Sequence, residues 1–448
     1  MEAGASATGA GSPARPGEWG ITPVPPAERR LGFLDYFVLW GDLGVGLLVL
    51  LAGTLLVPAL GLAQALLAIL IGSLLGSLLL ASAGVIGSDT GVPTMALLRP
   101  SLGIRGSYLP TVLNLVQLVG WGTFEIIIMA QAADGITRPL LGISAFPVWV
   151  LVVGAFCTLL AVGGPIRVVR LWLEKFAVWL MLGTSAWLTF VLVTQEDFTA
   201  LLWAPGTGDL AFWAAVDLVI AMPVSWMPLV ADYSRFARSG RGAFWGTAAG
   251  YFLANVWFYA LGAGLLLALK AQDLITAIMA TAGGWLALGI ILVDETDEAF
   301  ADIYSAAVSS QNLWPALRQR PGALTVGAVC TALALTVPLT QYEHFLLLIG
   351  SVFVPLFGVL VADYFLLRAR RIRAEALQTV GGPYWYRGGF AWRGLTAWGV
   401  GIATYHAVAA LLPALGSSLP SFALAFAVRW MLQEERATAL PAGSPGPA

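Results

Sequence analysis

Apolar runs of about 20 residues recur along this 448-residue chain, divided by short polar breaks. Each run is long enough for a helix to cross about 30 Å of hydrocarbon. Twelve such segments lie at about 33–60, 62–86, 106–133, 145–163, 172–194, 211–231, 243–269, 283–306, 322–338, 344–367, 391–412 and 416–433. The pattern predicts an all-α polytopic membrane protein of about 12 transmembrane helices. An outer-membrane barrel is excluded, because the runs do not alternate and are longer than barrel strands. The Gly, Ala, Ser and Pro-rich residues 1–28 and the similar stretch 434–448 read as flexible tails.

Basic residues check the count, since they gather in cytoplasmic loops. Arg29 and Arg30 precede span one, and Arg99 and Arg105 follow span two. Arg167, Arg170 and Lys175 follow span four; Arg235, Arg238 and Arg241 follow span six. Arg318 and Arg320 follow span eight, and Arg368, Arg370, Arg371 and Arg373 follow span ten. The intervening loops hold little beyond Arg138 and Lys270. Both termini are therefore expected in the cytoplasm. With no targeting segment in view, the expected place is the plasma (inner) membrane of a bacterium.

One span breaks the apolar rule. LVDETDEAFADIYSAAV, residues 292–308, carries Asp294, Glu295, Asp297, Glu298 and Asp302. Read as a loop, it would leave 285–293 too short to cross, and every later loop would invert its charge bias. Residues 283–306 are therefore expected to cross, acids included. Each acid facing lipid would cost on the order of 2.5–3.5 kcal/mol. At 100° per residue, Asp294, Glu295, Glu298 and Asp302 fall within a ~100° arc, with Asp297 beside it. That face is expected to point into the bundle, for cation binding, proton carriage or contact with a polar substrate.

Three more segments add candidate chemistry. Span one, LWGDLGVGLLVLLAG, sets Gly41, Gly44 and Gly46 around Asp42. The glycines fit either close helix packing or a broken helix whose free carbonyls line a site. Span six, AVDLVIAMPVSWMPLVADYSR, brackets Ser225 and Trp226 with Pro223 and Pro228, which disfavour regular helix. Spans one and six would each open one half of two five-helix repeats, 29–194 and 211–367, followed by two further helices at 391–433. Interruptions at matching positions of two halves point to a transporter site. Span three, LNLVQLVGWGTFEII, places Asn114, Gln117, Trp121 and Glu125 on one face at spacings of three, four and four. The Trp121 indole suits stacking on a planar heterocycle, and Glu125 could hydrogen-bond its amino group or ring nitrogen. Trp226 is placed to cover the opposite face.

Composition narrows the class. Hydrophobic residues make up 58% and charged residues 11%, with mean hydropathy +0.83; a soluble domain carries about 25% charged residues. A net charge of −2 without a basic cluster gives no reason for nucleic-acid binding. Cys157 and Cys330 sit in apolar runs and form no disulfide framework. His344 and His406 are the only histidines, so neither a metal site nor a cofactor is expected, beyond a possible coupling sodium ion. A membrane enzyme would want such groups, and a channel would want symmetric charged rings. The expected partners are a small heterocyclic substrate and the lipid bilayer; no obligate protein partner is evident.

TGVPTMALLRPSLGIRGSYLPTVLNLVQLVGW (90–121), SWMPLVADYSRFAR (225–238) and DIYSAAVSS (302–310) resemble the nucleobase–cation symporter-1 family of purine, cytosine, hydantoin and allantoin permeases. Within it the chain looks most like the hydroxymethylpyrimidine and cytosine permease branch. The resemblance implies the five-plus-five inverted-repeat (LeuT-like) fold plus two C-terminal helices. It implies a substrate held between Trp121 and the Ser225–Trp226 region, with Glu125 against the ring. It also implies a coupling cation, typically sodium, held near Gly41–Gly44 and Asp294–Asp302. Two departures bear on the ion. Span eight reads DETDEAFAD where the family is rich in Ser, Thr and Asn, and Asp42 stands where a neutral residue is expected. Several carboxyls together would share protons, which makes proton coupling a live option beside sodium.

The expected function is cation-coupled import of a small planar heterocycle, a pyrimidine such as hydroxymethylpyrimidine or cytosine. The candidate substrate residues are Trp121, Glu125, Gln117, Ser225, Trp226 and Asp302. The candidate coupling residues are Gly41, Asp42, Gly44, Asp294, Asp297 and Glu298. The alternative is a transporter of the same fold for a cationic amine, boxed by the two tryptophans, or for another nitrogen-rich compound such as allantoin, hydantoin or a purine.

Overall fold

A computed structural model describes residues 19–163, 178–194 and 197–433, and among them the long elements are all helices. Each of the twelve apolar segments becomes a helix or a broken helix. Span one is Phe33–Asp42 and Leu47–Thr54, span two Leu62–Thr90, span three Tyr108–Leu141, span four Phe146–Gly163 and span five Val178–Val193. Span six is Phe212–Ser225 and Val230–Ser234, span seven Gly240–Leu269, and span eight Gly284–Asp294 and Thr296–Leu313. Gln319–Ala334, Tyr342–Val361, Trp392–Leu411 and Ser418–Met431 complete the set as spans nine to twelve. Among the described residues, five single helices are long and apolar enough to cross a membrane, and a sixth is the bent pair of span one. The remaining spans are shorter, broken, less apolar or carry the acids.

Span one bends by 60° at its break. Glycine is a poor helix former, and the three in GDLGVG leave little to hold one helix through residues 41–46. Close packing fixes where the two halves lie. A Cβ on Gly250 of span seven would strike the Phe37 carbonyl of the first half, and one on Gly53 of the second would strike the Tyr259 carbonyl of span seven. Span three lies against span eight, and span two against spans six and seven.

The loops rich in arginine meet at one end of the bundle. Arg29 donates to the Ser88 and Thr90 carbonyls, Arg99 to Asn312 and the Leu377 carbonyl, and Arg368 to the Pro100 carbonyl. Asp363 is buried there between Arg368, at 2.6 Å, and Arg429. The expected flexible tail of 1–28 requires a correction, because residues 19–28 pack against this end. Val24 is fully buried and its N–H donates to the Gly91 carbonyl at 2.9 Å. Residues 1–18 and 434–448, with Arg167, Arg170 and Lys175, lie outside the described residues.

Candidate substrate and cation site

Span three builds the first wall. Asn114, Gln117, Trp121 and Glu125 are all buried on its inner face. Asn114 donates to Ser309 Oγ of span eight at 2.8 Å. Gln117 donates to the Ser225 carbonyl at 2.8 Å. That carbonyl has lost its helical donor, because the Leu229 N–H bonds Trp226 instead at the break before Pro228. A side chain of span three thus satisfies a backbone group freed by the unwinding of span six. The Trp121 indole packs edge-on against Tyr342 and Phe345 of span ten, with ring centroids 5.7 and 5.4 Å away.

Span eight supplies the carboxylates. It is interrupted at one residue, Glu295, between its two helical pieces. Glu295 accepts from the N–H groups of Leu47 at 2.5 Å and Leu48 at 3.3 Å, the free donors at the start of the second half of span one. A helix start offers unsatisfied N–H groups and a positive dipole end, so a carboxylate is the complementary group. Glu298 and Glu125 stand beside it: one carboxylate oxygen from each of the three residues lies within 4.8 Å of the others. Gly46 makes this approach possible, since a Cβ there would sit 2.8 Å from Glu298 Oε1 and 2.9 Å from Glu295 Oε2.

All of these acids are removed from solvent; Glu125 and Glu298 are each 2% exposed and Glu295 is fully buried. Two like charges at this separation repel by about 3–4 kcal/mol even at an effective dielectric of 20. No lysine or arginine bonds to the three among the described residues. Their oxygens are hard donors of the kind that take a proton, an alkali ion or a divalent cation. Asp297 approaches Asp42, which joins spans eight and one a second time.

A narrow cavity of about 10 Å³, room for about one water, lies between these walls. It is lined by Trp121 and Glu125 of span three, Met222, Ser225, Trp226 and Leu229 of span six, Glu298 and Asp302 of span eight, and Leu48 and Val49 of span one. It is far smaller than a pocket that holds a small ligand, so the walls must part to admit one. Five of the six residues expected to contact substrate line it; Gln117 instead lies behind Ser225. Of the residues expected to hold the cation, only Glu298 lines it. Gly41 and Gly44 face Gly250, Tyr251 and Ala254 of span seven. Asp294 ends the first piece of span eight, and its side chain lies outside the described residues. Glu295 and Gly46 were not among the candidates. Helical phase put Glu295 on the polar face, but its contact with Leu47, 248 positions away, has no local signal.

Residues 23–432 match a family model described as a permease for cytosine/purines, uracil, thiamine and allantoin. The chain is 28% identical over 359 residues to the cytosine permease of Escherichia coli (strain K12), covering 78% of this chain and 81% of the relative. It is 24% identical over 404 residues to the hydantoin permease of Microbacterium maritypicum, covering 85% and 82%. Its fold is similar to that of Mhp1, a nucleobase-cation-symport-1 family transporter solved in a closed conformation with bromovinylhydantoin bound. The TM-score is 0.82 at 20% identity, over 92% of this chain and 94% of the other.

Proposed function

The chain belongs to the nucleobase–cation symporter-1 family of membrane permeases, and we propose that it imports a pyrimidine such as cytosine or hydroxymethylpyrimidine by cation-coupled symport. It is a multi-pass transporter of a nucleobase-type heterocycle and not an enzyme. The observation that carries the finer reading is the enclosed cavity with an indole on span three, a second on span six and carboxylates between. A flat ring stacks on the indoles, while Glu125, Ser225 and Asp302 meet its polar edge. Gln117 acts through Ser225, as a positioning residue.

The coupling cation, sodium or a proton, belongs in this reading to the acids joining spans one and eight. Asp42, Asp297 and Glu298 are its main holders, with Gly41, Gly44 and Asp294 contributing backbone and charge nearby. Alternating access follows from one five-helix repeat rocking against the other. The arginine-rich end faces the cytoplasm of a bacterial cell, with both termini on that side, which is the arrangement the loop charges favour.

The test is uptake of labelled cytosine and hydroxymethylpyrimidine into liposomes holding the full chain, with an inward sodium or proton gradient imposed separately. Saturable uptake driven by one gradient is expected. Absence of uptake under both gradients would overturn the reading. Asp297→Asn should remove or shift the dependence on whichever cation drives uptake; an unchanged dependence would take Asp297 out of the coupling machinery.

A further inference from the structure

The polar groups that face the cavity are unequal in kind. Glu125, Glu298 and Asp302 bring carboxyl oxygens. The Ser225 hydroxyl already donates to the Met222 carbonyl at 2.6 Å, and the NH2 of Gln117, behind Ser225, is committed to Ser225 and Asn114. The Trp121 N–H is one remaining donor, and no lysine or arginine stands in the wall. Glu125 Oε2 and Glu298 Oε1 are buried and have no hydrogen-bond partner among the described residues.

The two halves of this acid group also differ. Glu295 has its charge met by two backbone N–H groups of span one. Glu125 and Glu298 have no such partner, yet both belong to the same triad and line the same cavity. An uncompensated buried carboxylate is expensive, and a donor delivering positive charge relieves it. A ring edge of carbonyl oxygens would do the reverse, setting lone pairs against carboxylates.

We propose that the cavity selects heterocycles presenting an amino group beside a ring nitrogen, with that edge lying against Glu125 and Glu298: the amino N–H donates to one carboxyl oxygen, and one proton is shared between the ring nitrogen and the other carboxyl. Glu298 is then shared between the ligand edge and the coupling cation, and the amino group supplies a donor to a carboxyl oxygen that the described residues leave without one. This rests on the reading of the cavity as the heterocycle site and deepens it. It separates amino heterocycles from dioxo ones within a family whose description spans both cytosine and uracil.

Binding to the purified full chain, followed by calorimetry, decides the matter. The probes are 2,4-diaminopyrimidine, cytosine, uracil, hydantoin and choline. The aminopyrimidines are expected to bind at least tenfold more tightly than uracil or hydantoin, with the diamino compound the tightest. Glu125→Gln and Glu298→Gln should each move that ratio toward one, the amide offering its own donor to a ring carbonyl. Uracil or hydantoin binding as tightly as the aminopyrimidines overturns this inference and leaves the heterocycle reading standing. Binding of choline alone, or of none of the five, overturns both. The ligand series on the unaltered protein decides even where a variant fails to fold.

Discussion

Two groups of buried acids lie in different parts of this molecule and are treated differently. At the arginine-rich end, Asp363 is enclosed by Arg368 and Arg429 and also accepts from the Ser101 hydroxyl at 3.0 Å. Mid-bundle, Glu125 and Glu298 are equally buried, and no cation among the described residues meets them. Asp363 is satisfied by the chain's own residues and ties span ten to span twelve and to residue 101. Among the described residues, the central triad meets backbone donors only where Glu295 reaches the broken helix. Burial alone therefore does not single out a candidate carboxylate; burial with an unanswered oxygen facing a cavity does.

Removing charge should act in opposite directions at the two places. Asp363→Ala leaves Arg429 buried without its partner, and a loss of about 3–5 kcal/mol is expected, read as poor yield and early thermal unfolding in detergent. Normal unfolding would mean that the end tolerates an open charge. Trp121→Ala sharpens the contrast from the other side. Cytosine binding should weaken at least tenfold, since stacking on an aromatic ring contributes about 1–3 kcal/mol per base, while gel filtration still shows a folded protein. Unchanged affinity would remove Trp121 from the site.

Glu298→Gln takes one charge out of the triad and should stabilise the ligand-free protein by on the order of 1 kcal/mol, the usual relation between a strained site and stability. A clear loss in thermal unfolding would show that Glu298 is held by structure. The smallest effect is expected at the rim. The half-exposed Arg370 meets Asp89 at 2.8 Å, and pairs of this sort contribute about 0–1 kcal/mol. Asp89→Asn should leave the unfolding temperature nearly unchanged, and a large drop would put this pair with Asp363.

What could be read in the residues follows from how local each cause is. Apolar length alone located the spans, because crossing hydrocarbon is a constraint on each segment by itself. Helical phase alone put Trp121 and Glu125 on one face and the acids of span eight on another. The division of labour among the glycines could not be read this way. Gly41, Gly44 and Gly46 look alike in sequence, yet Gly44 admits span seven, Gly46 admits two carboxylates, and a Cβ at Gly41 would meet only ordinary contact. Glu295 escaped for the same reason, since its partner is a gap in another helix. The packing of residues 19–28 was hidden too, because a run of prolines and small residues looks the same docked or free.

That docked stretch works as a seam. Its Gly20 carbonyl takes Arg235, its Val24 N–H reaches Gly91, Arg30 and Leu31 accept from Arg238, and the Ile21 carbonyl takes Gln378. One short length of chain is thus stitched to the ends of spans two and six and to the linker after span ten. Parting that end of the bundle would mean undoing these stitches as a group, so a bulky tag fused just ahead of residue 19 would sit on the stitching itself.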